Sequence, residues 1–191
     1  MQPSNNELKS TIRDYLIEFP KEVESFNLLI EQSEKETDIF TRKNFVGHVT
    51  ASAVILSHDK KYIFAIHHKI LDKMLCPGGH VDEGESPFEA VVREIEEETG
   101  FNNLEYFPVN QKNLAIPLDI DTHSIPENAK KNEPRHYHHD FKYCFILKDS
   151  ANININPQEI TDYTWLSLEK ASSWKGFERV IQKTKDLLSE I

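Results

Sequence analysis

The stretch GHVDEGESPFEAVVREIEEETGF, residues 79–101, decides the fold. Ser86 is a good N-cap, Pro87 suits the first helical position and Glu89 stands three residues after the cap, so a helix begins here. Gly100 is placed to end it, since a left-handed C-cap suits glycine. Phe88, Val91, Val92 and Ile95 recur at i, i+3, i+4 and i+7, giving one apolar stripe for burial. The opposite side carries Glu94, Glu97 and Glu98 at i, i+3 and i+4 and projects three carboxylates from one face. Like charges at this spacing cost roughly 0.2–0.5 kcal/mol per pair unless something cationic sits among them. Hard oxygen donors on a rigid element suit Mg2+ or Mn2+, completed by water and substrate phosphate. Arg93 lies four residues after Glu89 and four before Glu97, a spacing that lets it orient a carboxylate. Pro77, Gly78 and Gly79 let the backbone approach a ligand or metal closely.

Outward from this helix the chain reads as strands. Phe45–Leu56 and Tyr62–Ile66 are rich in β-branched and aromatic residues, with His58, Asp59 and Lys60 as the turn of a paired couple. Leu104–Phe107, Leu114–Leu118 and Thr164–Leu168 read as short strands, and His136–Leu147 as a longer one. The segment from Asp119 to Arg135, polar and carrying two prolines, reads as a long loop of the kind that carries function. Near the end, Trp174, Phe177, Val180, Ile181, Thr184, Leu187 and Leu188 mark one face of an amphipathic helix. At the start, Ser4 and Glu7 form a capping box before Leu8, Ile12, Tyr15 and Leu16, and a second helix from about Lys21 uses Val23, Phe26 and Ile30. Trp165 and Trp174 read as core or interface residues.

Composition bounds the function. The 191 residues suit one globular unit, and 38% apolar with 28% charged residues excludes a disordered chain. A net charge of -10 repels nucleic-acid duplexes and anionic membranes, so a phosphate-bearing substrate needs local positive charge, and a divalent cation bound by clustered carboxylates is one way to supply it. Met1 to Ser10 lacks the apolar core of a secretion signal and no run reaches membrane-spanning length, so the expected compartment is the cytoplasm. Cys76 and Cys144 are too few for a disulfide framework and lack zinc-site spacing.

Residues 79–101 resemble the Nudix hydrolase box, GX5EX7REUXEEXGU with U a bulky apolar residue. Gly79, Glu85, Arg93, Glu94, Ile95, Glu97, Glu98, Gly100 and Phe101 fill every specified place, Phe101 standing where an aliphatic is usual. The run Gly47–Leu56, the PGGH at 77–80 and TWLSLEKA at 164–171 are similar to flanking parts of such domains. The likeness therefore covers roughly residues 45–190 and leaves the first 44 as an N-terminal helical extension packed on the domain. It implies an α/β fold, an α/β/α sandwich with a mixed sheet flanked by helices. It implies Mg2+, with Mn2+ able to substitute, held by Glu94, Glu97 and Glu98 and by a backbone carbonyl at Gly78 or Gly79. Arg93 would hold a glutamate in place, and Glu85 would brace the loop and reach a metal through water. The implied reaction is attack of water on phosphorus in a nucleoside diphosphate derivative or similar small molecule, with Glu97 and Glu94 the first candidates for the base. The two N-terminal helices read equally as a small lid, a packing layer or a dimer surface, and the last of these is compatible with a homodimer.

A second constellation belongs to this chain itself. In a strand His136, His138 and Asp140 alternate onto one face, continued by Lys142, while Tyr137, Phe141, Tyr143 and Phe145 serve other contacts. With Asp119, Asp121 and His123 they form a candidate site for substrate phosphate, for an additional metal or for the base, against the alternative of a solvated strand face or structural hydrogen bonds. Lys130, Lys131 and Arg135 make a small basic patch that either steers a polyphosphate or is plain surface. Two rival functions stand beside hydrolysis: an isoprenoid diphosphate isomerase using Cys76, and a nucleotide-sensing module without turnover.

Overall fold

The computed structural model describes residues 3–35, 38–129, 131–149 and 153–189. Its strands are β1 (Gly47–Leu56), β2 (Tyr62–His68), β3 (Lys73–Leu75), β4 (Gly78–His80), β5 (Leu104–Tyr106), β6 (Asp119–Ile125), β7 (His136–Leu147) and β8 (Ile160–Ser167). The helices are α1 (Asn5–Glu18), α2 (Asn27–Ser33), α3 (Pro87–Thr99), α4 (Leu168–Ala171) and α5 (Glu178–Ser189), with a 3-10 turn at Pro20–Phe26. The eight strands form one mixed sheet along β3-β2-β1-β7-β5, with β4 beside β1, β6 beside β7 and β8 beside β2. β1 and β7 run parallel over ten register pairs, Gly47↔Tyr137 to Leu56↔Ile146.

β1 is buried along its whole length, as expected for a central strand covered on both faces. One face packs Val49, Ala51, Ala53, Phe141 and Tyr143 against Ala90, Val91 and Ile95 of α3, and the same cluster takes in Leu8, Ile12, Phe26 and Leu29. The other packs Val54, Leu56, Cys144 and Ile146 against Phe177, Val180 and Ile181 at α5. Alternation along one strand thus feeds two helical layers, the α/β/α arrangement expected. Trp165 packs on Phe64 with ring centroids 5.1 Å apart, and Trp174 on Phe177 at 5.8 Å, both as packing residues.

Several expectations are corrected. Leu114–Leu118 is no strand: Ile116 and Leu118 are buried anchors, and pairing begins only at Asp119. The loop expected over 119–135 is β6 for its first seven residues, Asp119–Ile125, paired antiparallel with β7. DIDTHSI lacks an apolar stripe: Ile120 is its one residue in the apolar core, and pairing with β7 holds the rest. Phe45 and Val46 are exposed and precede β1, which meets β2 only at Leu56↔Ile63 rather than along a long hairpin. β8 starts at Ile160, and β3 and β4 were not foreseen. The second helix starts as a 3-10 turn, and Val23 is 49% exposed while Leu29 fills the core. Likewise Val92 is 45% exposed and Ala90 takes its place in the α3 stripe.

Candidate functional site

α3 forms as its sequence dictates. The Ser86 side chain accepts from the Glu89 N–H and the Glu89 carboxylate accepts from the Ser86 N–H, Pro87 opens the helix, and Gly100 closes it at φ 72°. Glu89 is thereby engaged at the cap, and Arg93 turns to other carboxylates. Its Nε and Nη2 donate to both oxygens of Glu85 at 2.9 and 3.0 Å. Nη1 donates to Glu94 at 2.9 Å and to Glu97 at 3.2 Å, and Nη2 also reaches the His80 carbonyl at 3.0 Å. One guanidinium thus ties the loop, the helix and β4 together through a bidentate fork. The Arg93 bonds hold the Glu85 carboxyl below the usual carboxylate range.

The three helical glutamates differ in setting. Glu97 has a side chain 57% exposed. Glu98 is 3% exposed, and its Oε2 accepts from the Gly78 N–H at 2.8 Å. Burial, with the Glu94 charge adding to it, pushes the Glu98 carboxyl up to about 8, and burial raises Glu94 as well. Gly78 and Gly79, the first residue of the box, both sit in tight contacts. Gly78 sits at φ +153° against the β1 backbone, and a Cβ on Gly79 would meet the Glu94 carboxylate, 2.6 Å from Cδ. Partly desolvated carboxylates beside close-packed backbone carbonyls fit a hard divalent cation as a donor set, since a cation removes the penalty that burial imposes.

β4 pairs with β1 through Thr50↔His80, Ala51↔Gly79 and Ser52↔Gly78. The face of β1, β7 and β6 turned away from α3 carries a polar file set by the register: His48 beside His138, Thr50 beside Asp140, Ser52 beside Lys142, with His123 and Asp121 across from His138 and Asp140. The His80 ring lies 5.2 Å from that of His48 and 5.3 Å from that of His138, so β4 links this file to the box. Burial, with the His48 and His80 rings adding to it, holds His138 down at about 3, and burial, with Arg42 adding to it, holds His80 at about 4. Neutral imidazoles offer lone pairs rather than countercharge for phosphate.

The predicted constellation is therefore partly divided. Asp140 is committed internally: Thr50 Oγ1 and Ser52 Oγ donate to it at 3.1 and 2.7 Å, and Lys142 Nζ lies 2.7 Å away. Asp119 is buried with Arg179 at 3.0 Å and Lys183 at 2.8 Å, and Lys183 also pairs with Glu22 and donates to the Tyr15 hydroxyl. That network joins the first helices to α5 and commits Asp119 to internal ion pairs. Asp121 is hydrogen-bonded by His123 at 2.9 Å, which holds its carboxyl down at about 2. Arg135 donates to Ser124 at 3.0 Å. In the basic patch Lys131 is exposed, and Lys130 lies outside the described residues. His48 and His80 were missed, although the polar alternation His48, Thr50, Ser52 inside the apolar run of β1 marks this face.

A family model for the NUDIX domain matches residues 46–184. A probable DHNTP pyrophosphohydrolase of Lactococcus lactis is 37% identical over 101 residues, 53% of this chain and 55% of that protein, so the match spans about half of that relative's length. An RNA pyrophosphohydrolase of a Sulfurovum species is 29% identical over 64% of this chain and 75% of its own. Among solved structures, a NUDIX-family hydrolase from Clostridium perfringens superposes with a TM-score of 0.54 at 25% identity, covering 75% of this chain and 98% of that one. The E. coli dihydroneopterin triphosphate pyrophosphohydrolase superposes at 0.55 with 19% identity over 75% and 96%, a likeness of fold alone.

Proposed function

The chain belongs to the NUDIX family, and we propose that it is a divalent-metal-dependent pyrophosphohydrolase cleaving the diphosphate linkage of a nucleoside diphosphate derivative or a pterin or nucleotide triphosphate. The observation that carries this reading is the arrangement around Arg93, which holds Glu85, Glu94 and Glu97 while Glu98 is buried against Gly78. Glu94, Glu97, Glu98 and the carbonyls of Gly78 and Gly79 are the groups we assign to Mg2+ or Mn2+, with Glu85 supporting. A bound divalent ion supplies polarisation of the phosphoryl oxygens and a lowered pKa for the attacking water.

The protein's own part is placement. Arg93 fixes the Glu94 and Glu97 carboxylates, the Gly78 N–H fixes Glu98, and the box loop is braced by Glu85. Glu97, the most solvent-open of the three, is the first candidate to accept the water proton as oxygen bonds to phosphorus and the bridging P–O bond breaks, with Glu94 the second. The leaving phosphate carries the bridging oxygen away. Isomerisation through Cys76 is disfavoured by the complete box from Gly79 to Phe101, whose full carboxylate set suits hydrolysis.

The substrates to test are those in the relatives' names, dihydroneopterin triphosphate and pyrophosphate-bearing RNA, together with dinucleoside polyphosphates and nucleotide sugars. Phosphate or nucleotide release from this panel with Mg2+ and Mn2+ tests the reading. Glu97→Gln is expected to lower turnover by about 100-fold or more, the scale of a positioned acid–base group. Unchanged Mg2+-dependent turnover in that variant would remove its assigned role.

A further inference from the structure

We propose that His48, His136 and His138 form a second metal site, separate from the box carboxylates, that takes a zinc-class transition ion through three imidazole nitrogens and leaves a fourth position open to water or an anionic oxygen. One nitrogen from each ring lies within 4.8 Å of the others, and these three make up the sole such group of ligand atoms found among the described residues. The sheet creates the arrangement. His136 and His138 are two apart on β7 and share a face, and the parallel register brings His48 of β1 beside His138.

Two of the rings are set for ligation by backbone carbonyls. His48 is 1% exposed, its Nδ1 is held by the Asn44 carbonyl at 3.2 Å, and its Nε2 is buried without a hydrogen-bond partner. A buried unpaired nitrogen is costly unless something occupies it. The Pro134 carbonyl holds Nδ1 of His136 at 2.8 Å, which again leaves Nε2 as the lone-pair nitrogen, and this faces Nε2 of His138 at 3.3 Å. Backbone carbonyls fixing the far nitrogen of a histidine are the usual second layer of a metal site. With Zn–N of about 2.1 Å, a tetrahedral ion sets its nitrogens about 3.4 Å apart. The His136 and His138 pair already has that spacing, and the His48 nitrogen, within 4.8 Å of theirs, closes the set by a ring movement of at most about 1.4 Å. Nitrogen donors select zinc, cobalt, nickel or copper over magnesium, which prefers the oxygens of α3. Phe45, with its ring 5.7 Å from that of His136, and the His80 ring wall the cluster.

The site is tested on the whole chain after chelation and dialysis, with excess Mg2+ present and Co2+ and Zn2+ as probes. One equivalent of Co2+ is expected per chain, with visible absorption of a nitrogen-rich tetrahedral centre. Glu94→Gln plus Glu97→Gln should keep that band, whereas His138→Gln or His136→Gln should abolish it and weaken Zn2+ by more than about 100-fold. X-ray absorption of the unsubstituted protein carrying one Zn2+ is the second measurement and needs no variant to fold. It should show several imidazole shells. An oxygen-only shell, a Co2+ band that follows the glutamates, or no uptake above Mg2+ would each overturn the proposal. Turnover of diphosphates is read separately, so loss of this site leaves the hydrolase assignment standing, and the reverse.

Discussion

Replacing Gly79 with alanine probes the site where it is tightest. The added Cβ would lie 2.6 Å from Cδ of Glu94 and 3.0 Å from its Oε2. Ordinary carbon contacts begin near about 3.5 Å, so the carboxylate must retreat by about 1 Å. Such a shift stretches the 2.9 Å bond from Arg93 Nη1 beyond hydrogen-bond reach. Misplacing a catalytic group by about 1 Å costs on the order of 100-fold in rate, or about 2.7 kcal/mol of barrier. The phosphate-release assay with saturating Mg2+ should therefore show kcat down about 100-fold, while thermal unfolding moves little, since overpacking at one methyl costs about 1 kcal/mol. Gly176→Ala is the control. At φ +93° with open space around it, that variant loses about 1–2 kcal/mol of stability through backbone strain and keeps full turnover. A Gly79→Ala enzyme that folds and turns over within threefold of the parent would refute the claim that this close approach positions Glu94.

Other expectations follow from the same contacts. Arg93→Lys keeps one charge but cannot grip both oxygens of Glu85, so Mg2+ affinity measured by calorimetry should fall about 10- to 100-fold. Lys183→Met removes a buried cation from Asp119 and Glu22; with Arg179 still paired to Asp119, a urea titration should show a loss of about 3 kcal/mol. Phe64→Ala opens a cavity at a fully buried ring packed on Phe101 and Trp165 and should cost about 3–5 kcal/mol by the same titration.

Legibility in the sequence followed the range of the interactions. Both capping boxes, Ser4–Glu7 and Ser86–Glu89, and the Gly100 stop are contacts within one turn, and each is found as read. β7 matches its predicted limits because its apolar alternation is long. β6 was invisible as a strand, since apart from the buried Ile120 its residues show no periodic apolar stripe, and its pairing with β7 defines it. The Arg93 partners were half-seen: spacing alone offered Glu89 and Glu97, yet the Ser86 cap claims Glu89, and the fold of the preceding loop brings Glu85 to the guanidinium.

The sequence by itself determined the box helix, its carboxylate set and the family they mark, because helical spacing is fixed by the backbone over a few residues. Only the tertiary structure decided that Asp140 and Asp119 are spent on internal ion pairs and that His48 and His80 join His136 and His138. Those meetings depend on the parallel register of β1 with β7 and on the seating of β4. Strand pairing is a non-local choice: a residue's own neighbours fix which face it takes, and a distant segment fixes what it finds there.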